Sequence, residues 1–238
     1  MHNPAMPLTR HGSSGFTLIE LAIVLVIVSL LAGGMMMTLS AQMEQVQRSD
    51  TQRQLQDARE ALLGYAASHS AADGKPYLPC PDTDGDGLEN RDGSGACPAP
   101  KNEGNLPWAS LGLASQDAWG NRFRYRVEPI FARTDNGFTL STSANLRVCE
   151  DATCSSKLAT SLPAVILSHG RNGLGAMNPS NVANPTPASA DEKENADADN
   201  DFVFHTPTPA GANEFDDLVV WLSPSILYNR MITAGRLP

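Results

Sequence analysis

The chain has 238 residues and a formal net charge of −9, a length suited to one or two domains. An acidic balance disfavours a nucleic-acid partner, because phosphate binding needs clustered Lys and Arg. The sequence holds no phosphate-cradling loop and no Gly-x-Ser-x-Gly elbow, so it is read as non-enzymatic.

Residues 1–15 carry Arg10 and His11 and no acid. Residues 16–39 follow with only Thr17, Glu20, Ser29 and Thr38 as polar side chains. A helix of that length spans roughly 36 Å, enough to cross a hydrocarbon core of about 30 Å. The preceding positive charge predicts a cytoplasmic N-terminus and an exported remainder. A secretory signal would place a small-residue cleavage site after the apolar stretch. Here the stretch runs directly into a polar helix, and the alternative boundary precedes it, in Gly15-Phe16-Thr17-Leu18-Ile19-Glu20. A lone carboxylate five positions into an apolar helix is costly unless it finds a partner.

Gly15 followed by Phe-Thr-Leu-Ile-Glu-Leu resembles the prepilin-peptidase site of the type IV pilin family. The resemblance implies a leader peptide (1–15), cleavage after Gly15 and N-methylation of Phe16. It also implies that Glu20 neutralises the terminal amine of a neighbouring subunit. Paired in a low-dielectric bundle, each charge relieves the other's burial. A plain membrane anchor with a chance Glu is the bland alternative.

From the transmembrane assembly helix (16–39) the chain continues as an amphipathic part, 40–72, with Met43, Val46, Leu55, Ala58, Leu62 and Tyr65 recurring at roughly 3.5-residue spacing. Asp73-Gly74 and Pro76 signal its end. Gly33-Gly34 marks either a weak point in the helix or a close-packing site. Residues 73–238 form the globular head. Strands are predicted at 123–127, 137–140, 164–168 and 218–222. The expected fold is α+β, a long N-terminal helix packed on a mostly antiparallel sheet. Asp117-Ala118-Trp119-Gly120-Asn121, with Tyr125 beyond it, resembles a segment of the major pseudopilins of type II secretion. It is read as a fold element, with Trp119 as a core anchor.

Cys80, Cys97, Cys149 and Cys154 all follow the apolar segment, which would place them in an oxidising compartment. Sequence proximity favours disulfides 80–97 and 149–154, though three connectivities are open. Asp82, Asp84 and Asp86, with Gly87 sixth in the run, suit a hard cation such as calcium. The twelfth position is Gly93 rather than Glu, so the run is not a full EF-hand. Asp197, Asp199 and Asp201 alternate likewise, and Asp216-Asp217 are candidate contributors. Calcium beside the C-terminal sheet is also what the pseudopilin resemblance implies. Solvated acidic loops are the alternative for both runs. Ser168-His169-Gly170 reads as a strand end and turn rather than part of a triad.

The functional expectation is a structural subunit, a minor pilin or pseudopilin of a type IV pilus or type II secretion filament. Its expected partners are the prepilin peptidase, the inner membrane and other subunits, with no nucleic acid. The head should lie in the periplasm, or at the cell surface after assembly. The alternative is a filament-tip binding module that recognises its ligand through residues 80–97 and 178–200.

Overall fold

The computed structural model describes residues 17–98 and 103–238, and the backbone alone for residues 32–41. Gly15 and Phe16 lie outside the described residues. The chain divides into two units, Met1–Gln45 and Val46–Pro238. The first helix, α1, is assigned over Leu18–Ser68. In the first unit its apolar side chains from Leu18 to Leu31 are exposed. Among the described residues no helix is long and apolar enough to cross a membrane. The second half of the expected span, residues 32–39, is described only as backbone.

In the second unit α1 becomes a core element. Leu55, Ala58, Leu62, Leu63 and Ala66 are buried on one face, the i, i+3, i+7 stripe of an amphipathic helix. Met43 and Val46 belong to the predicted stripe but are exposed. The helix stops at Ser68, four residues earlier than the sequence suggests, because Ala71 N–H turns to Lys75 O and Gly74 N–H to Ala71 O.

The head is built on an antiparallel sheet ordered β1-β2-β5-β7. Its strands are β1 (Glu103–Asn105), β2 (Arg124–Val127), β5 (Ala164–Ser168) and β7 (Leu218–Leu222). Alternation sends Tyr125, Val127, Ala164, Ile166, Leu218, Val220 and Leu222 into one core with α1. Val165, Leu167 and Val219 enter a second core under a smaller sheet. That sheet is ordered β4-β3-β6: β3 (Leu146–Cys149) lies antiparallel to β4 (Lys157–Leu162) and parallel to β6 (Asp201–Val203). Helix α4 (Pro224–Thr233) adds Leu227 and Met231 to the first core. The remaining helices are short: α2 is Trp108–Leu111 and α3 is Ala190–Ala196.

Three of the four predicted strands are present. Residues 137–140 are not a strand. Phe138 is buried against Phe131, with ring centroids 5.1 Å apart. Thr139 N–H is taken by Thr142 Oγ1 at 2.8 Å, which closes a turn where a ladder would need a free donor.

The Asp117–Asn121 segment is a turn, with Gly120 N–H donating to Asp117 O at 3.1 Å and Gly120 at φ +88°. The Asp117 carboxylate accepts from Trp119 N–H (3.0 Å), Asn121 N–H (2.9 Å) and Ser168 Oγ (2.6 Å). Ala118 N–H donates to Thr51 Oγ1, and Gln47 Nε2 to Ala118 O, so the turn also docks on α1. Trp119 is only partly buried and packs against the flank of the core, whereas Tyr125 is the buried anchor.

Replacing Asp117 with Ala orphans three donors around a buried site and should destabilise the head by about 3 kcal/mol. Chemical denaturation of the variant and the wild-type chain checks this; a loss below about 1 kcal/mol would show the turn to be dispensable.

Candidate functional site

The N-terminal end of α1 is held by a reciprocal cap. Glu20 Oε2 accepts from Thr17 N–H at 2.9 Å and from Thr17 Oγ1 at 2.8 Å, while Glu20 N–H donates to Thr17 Oγ1 at 3.3 Å. This is the capping-box arrangement, which satisfies a free donor at the helix start. Sequence reasoning found Glu20 but not its local partner. The signal was present as Thr-x-x-Glu ahead of an apolar run.

Two disulfides join Cys80 to Cys97 and Cys149 to Cys154, with Cα atoms 5.3 and 5.0 Å apart. The first closes a loop that is tied to α1 by charge. Glu89 accepts from Tyr65 Oη (2.9 Å), Cys80 N–H (2.9 Å) and Arg91 Nε (3.0 Å). Arg91 also donates to Leu78 O, Gly95 O and Ala132 O, and its guanidinium lies 4.9 Å from the Tyr77 ring centre.

Asp82, Asp84 and Asp86 converge, each offering an oxygen within 4.8 Å of the others. All three carboxylates already accept hydrogen bonds. Buried Asp82 takes the N–H groups of Asp84, Gly85 and Gly87 at 3.2, 2.6 and 2.9 Å. Asp84 takes Asn90 Nδ2, and Asp86 takes Leu88 N–H. Asp92, the acid nearest the missing twelfth position, closes its own turn by accepting from Ser94 and Ala96 N–H.

The second acidic run is arranged differently from its sequence. Asp199 and Asp201 converge with Glu194 rather than with Asp197. Asp201 pairs with Arg147 at 2.7 Å, and the Asp197 backbone carbonyl accepts from Arg124. Burial, together with Asp199 and other acids nearby, pushes the Glu194 carboxyl up to about 7.

A third convergence joins Glu192, Asp216 and Asp217. Glu192 lies on the inward face of α3, three residues before buried Asn195, and its place in this group was not legible in a run of acids. It accepts from Asn172 Nδ2 and Asp216 N–H at 3.0 and 3.1 Å. Asp217 Oδ2 accepts from Asn195 Nδ2 at 2.8 Å, while Asp216 Oδ1 and Asp217 Oδ1 have no hydrogen-bond partner. Gly170 makes room here: a Cβ on it would sit 2.0 Å from Asp216 Oδ1, and its φ is +58°. Burial and the Asp217 charge push Glu192 up to about 7; burial, with Asp217 and Glu214 beside it, pushes Asp216 up to about 6. These oxygen sets suit a hard cation.

Ser168 ends β5 with its hydroxyl on Asp117, and Gly170 turns the chain. His169 is buried 3.7 Å from Asp217, and neither of its ring nitrogens has a hydrogen-bond partner among the described residues. The strand-end reading of this segment therefore holds.

The prokaryotic N-terminal methylation motif matches residues 10–36, the segment with the prepilin-peptidase signature and Glu20, and it supports a type IV pilin-like protein. No curated protein and no solved structure matches the chain.

Glu192 and Asp216 have raised folded-state values, so their protonated forms favour the fold. That contribution is complete below the ordinary carboxylate values of 4.5 and 3.8 and is lost as pH rises through about 6 to 7. In chelator the chain should melt a few degrees lower at pH 8 than at pH 5. Glu192→Gln should flatten that difference, and an unchanged pH profile in this variant would remove Glu192 as its source. Separately, Cys80→Ser with Cys97→Ser opens a loop of 17-residue separation and should cost about 3 kcal/mol in denaturant unfolding.

Proposed function

We propose that this type IV pilin-like chain is a structural subunit, a minor pilin or pseudopilin, of a filament anchored in the inner membrane. The single observation that carries the reading is the methylation motif over residues 10–36, with Glu20 in register behind Gly15-Phe16. The prepilin peptidase cleaves after Gly15, and Phe16 becomes the methylated terminus. Residues 16–39 hold the subunit in the bilayer, and the head is exported to the periplasm, where its four cysteines oxidise. The filament is either a type IV pilus or a type II secretion filament. The head's part is structural rather than enzymatic.

In this reading Glu20 exchanges partners. Before assembly its carboxylate is occupied by Thr17. During assembly the terminal amine of a neighbouring subunit replaces that weak local cap with a full charge pair in a low-dielectric bundle. The acidic groups of the head, Asp82, Asp84 and Asp86 with Glu194, Asp199 and Asp201, are proposed to take calcium as a stabilising ion. Their supporting feature is the convergence of three oxygens in each group within 4.8 Å.

Glu20→Ala should insert and be cleaved yet fail to enter filaments. Shearing followed by immunoblotting measures this, and wild-type incorporation of the variant would remove the assembly mechanism. Gly15→Leu should leave an uncleaved precursor, seen as a slower band on a gel. Calcium should raise the melting temperature of the chelated chain by a few degrees; an unchanged midpoint would dismiss the ion.

A further inference from the structure

The second face of the central sheet is covered in two ways. Val165, Leu167 and Val219 pack under the smaller sheet. On the same face, Arg124 stands opposite Leu167, Arg126 opposite Val165, and Glu103 opposite Arg126. The apolar cover thus gives way to charge at the β1–β2 end, and a cavity of about 540 Å³ lies there. Arg122, Arg124, Arg126, Glu103 and His169 wall it, and exposed Ala198 stands at its mouth.

The walls carry buried donors that lack acceptors. Arg122 and Arg126 are 8 % and 7 % exposed, and His169 is fully buried. The Nε atoms of all three arginines and both ring nitrogens of His169 lack a hydrogen-bond partner. Besides the one ring nitrogen of a neutral His169 that accepts, the wall acceptor in that condition is Glu103 Oε2. Three guanidinium groups and two acids line it, and the Asp82 carboxylate is already taken by Gly85 and Gly87 N–H. Terminal guanidinium nitrogens donate to Ser115 O, Pro179 O, Glu103, Asp197 O and Asn200 Oδ1, which leaves the Nε groups. Asp197 lies near enough to act on Glu103 and Arg124, but it is exposed and therefore screened. Buried donors without acceptors are costly, and arginine forks match carboxylate and phosphate. The volume falls within the roughly 300–1,000 Å³ of small-molecule sites.

We propose that this cavity binds a small organic anion of about monosaccharide size, held through a carboxylate or phosphate by the arginine-lined wall. The inference is independent of filament assembly, so Glu20→Ala should retain binding even where it abolishes incorporation.

Calorimetric titration of the full-length chain in detergent, at constant ionic strength, tests it with four probes: glucuronate, glucose 6-phosphate, neutral glucose and inorganic phosphate. At least one of the two sugar anions should bind saturably and at least tenfold tighter than glucose and inorganic phosphate. Glucuronate alone would identify a carboxylate ligand, and glucose 6-phosphate alone a phosphate ester. Arg124→Gln should weaken the bound anion at least tenfold, with Arg124→Lys retaining part of the affinity. Because Arg124 also pairs with Glu103, the decisive variant is Ala198→Trp, which blocks the mouth from an exposed position. It should keep the wild-type melting temperature and lose binding. Absence of saturable binding by either sugar anion, or binding unchanged in Ala198→Trp, would overturn the proposal.

Discussion

The head depends on a central sheet that is buried on both faces. All five residues of β5 are buried, so no strand edge or side chain there can turn to water. Buried polar groups at the margins of this sheet then need partners, from the protein or from a bound ligand. Asp117 answers that need at the end of β5 by accepting from Ser168. The same carboxylate shapes the turn whose backbone bonds to Thr51. One buried acid thereby couples the sheet to α1. At the β1 edge, Asp82 and Asn105 exchange backbone bonds at 3.0 and 2.8 Å. The acidic loop therefore has a structural task at the sheet edge.

The disulfide loop follows the same constraint. A short covalent clip does not by itself orient a loop against a helix. Glu89 and Arg91 do so, because their hydrogen bonds reach Tyr65 on α1 and three backbone carbonyls. The pair is partly buried, and its extra hydrogen bonds are what make a desolvated ion pair tolerable. The orientation of the loop therefore rests on a network in which neither member can be removed without orphaning several partners.

Legibility in the sequence followed the strength of local signals. The unbroken apolar run 164–167 and the run 218–222 named β5 and β7, because a doubly covered strand needs apolar residues on both faces. The lower half of α1 was readable from Leu55 onward by its spacing. The run 137–140 has a strand's composition, but Phe138 is its one buried hydrophobic side chain, Leu140 is exposed, and Thr139 turns the chain. Strands β1, β3 and β6 have only three or four residues each, too few to establish a period. No spacing in the sequence groups Glu103 with Arg124 and Arg126; strand pairing sets them on one face. The regrouping of Glu194 with Asp199 and of Glu192 with Asp216 likewise depends on where α3 lies, which no spacing within the acidic run encodes.

The N-terminal end carries a different logic, one set by charge near a helix terminus. Cleavage before Phe16 would leave a cationic amine one residue ahead of Thr17, the cap of α1. Helix dipoles place partial positive charge at that end, which disfavours a cation and favours an anion. Glu20 sits within the first turn, where its carboxylate relieves the dipole and satisfies a backbone donor. In the filament proposed above, the processed subunit would carry an internally capped acid and a terminal amine near the same helix end. A neighbour offset along the filament axis would let the amine of one chain meet the acid of the next, and that charge pair would favour an ordered stack.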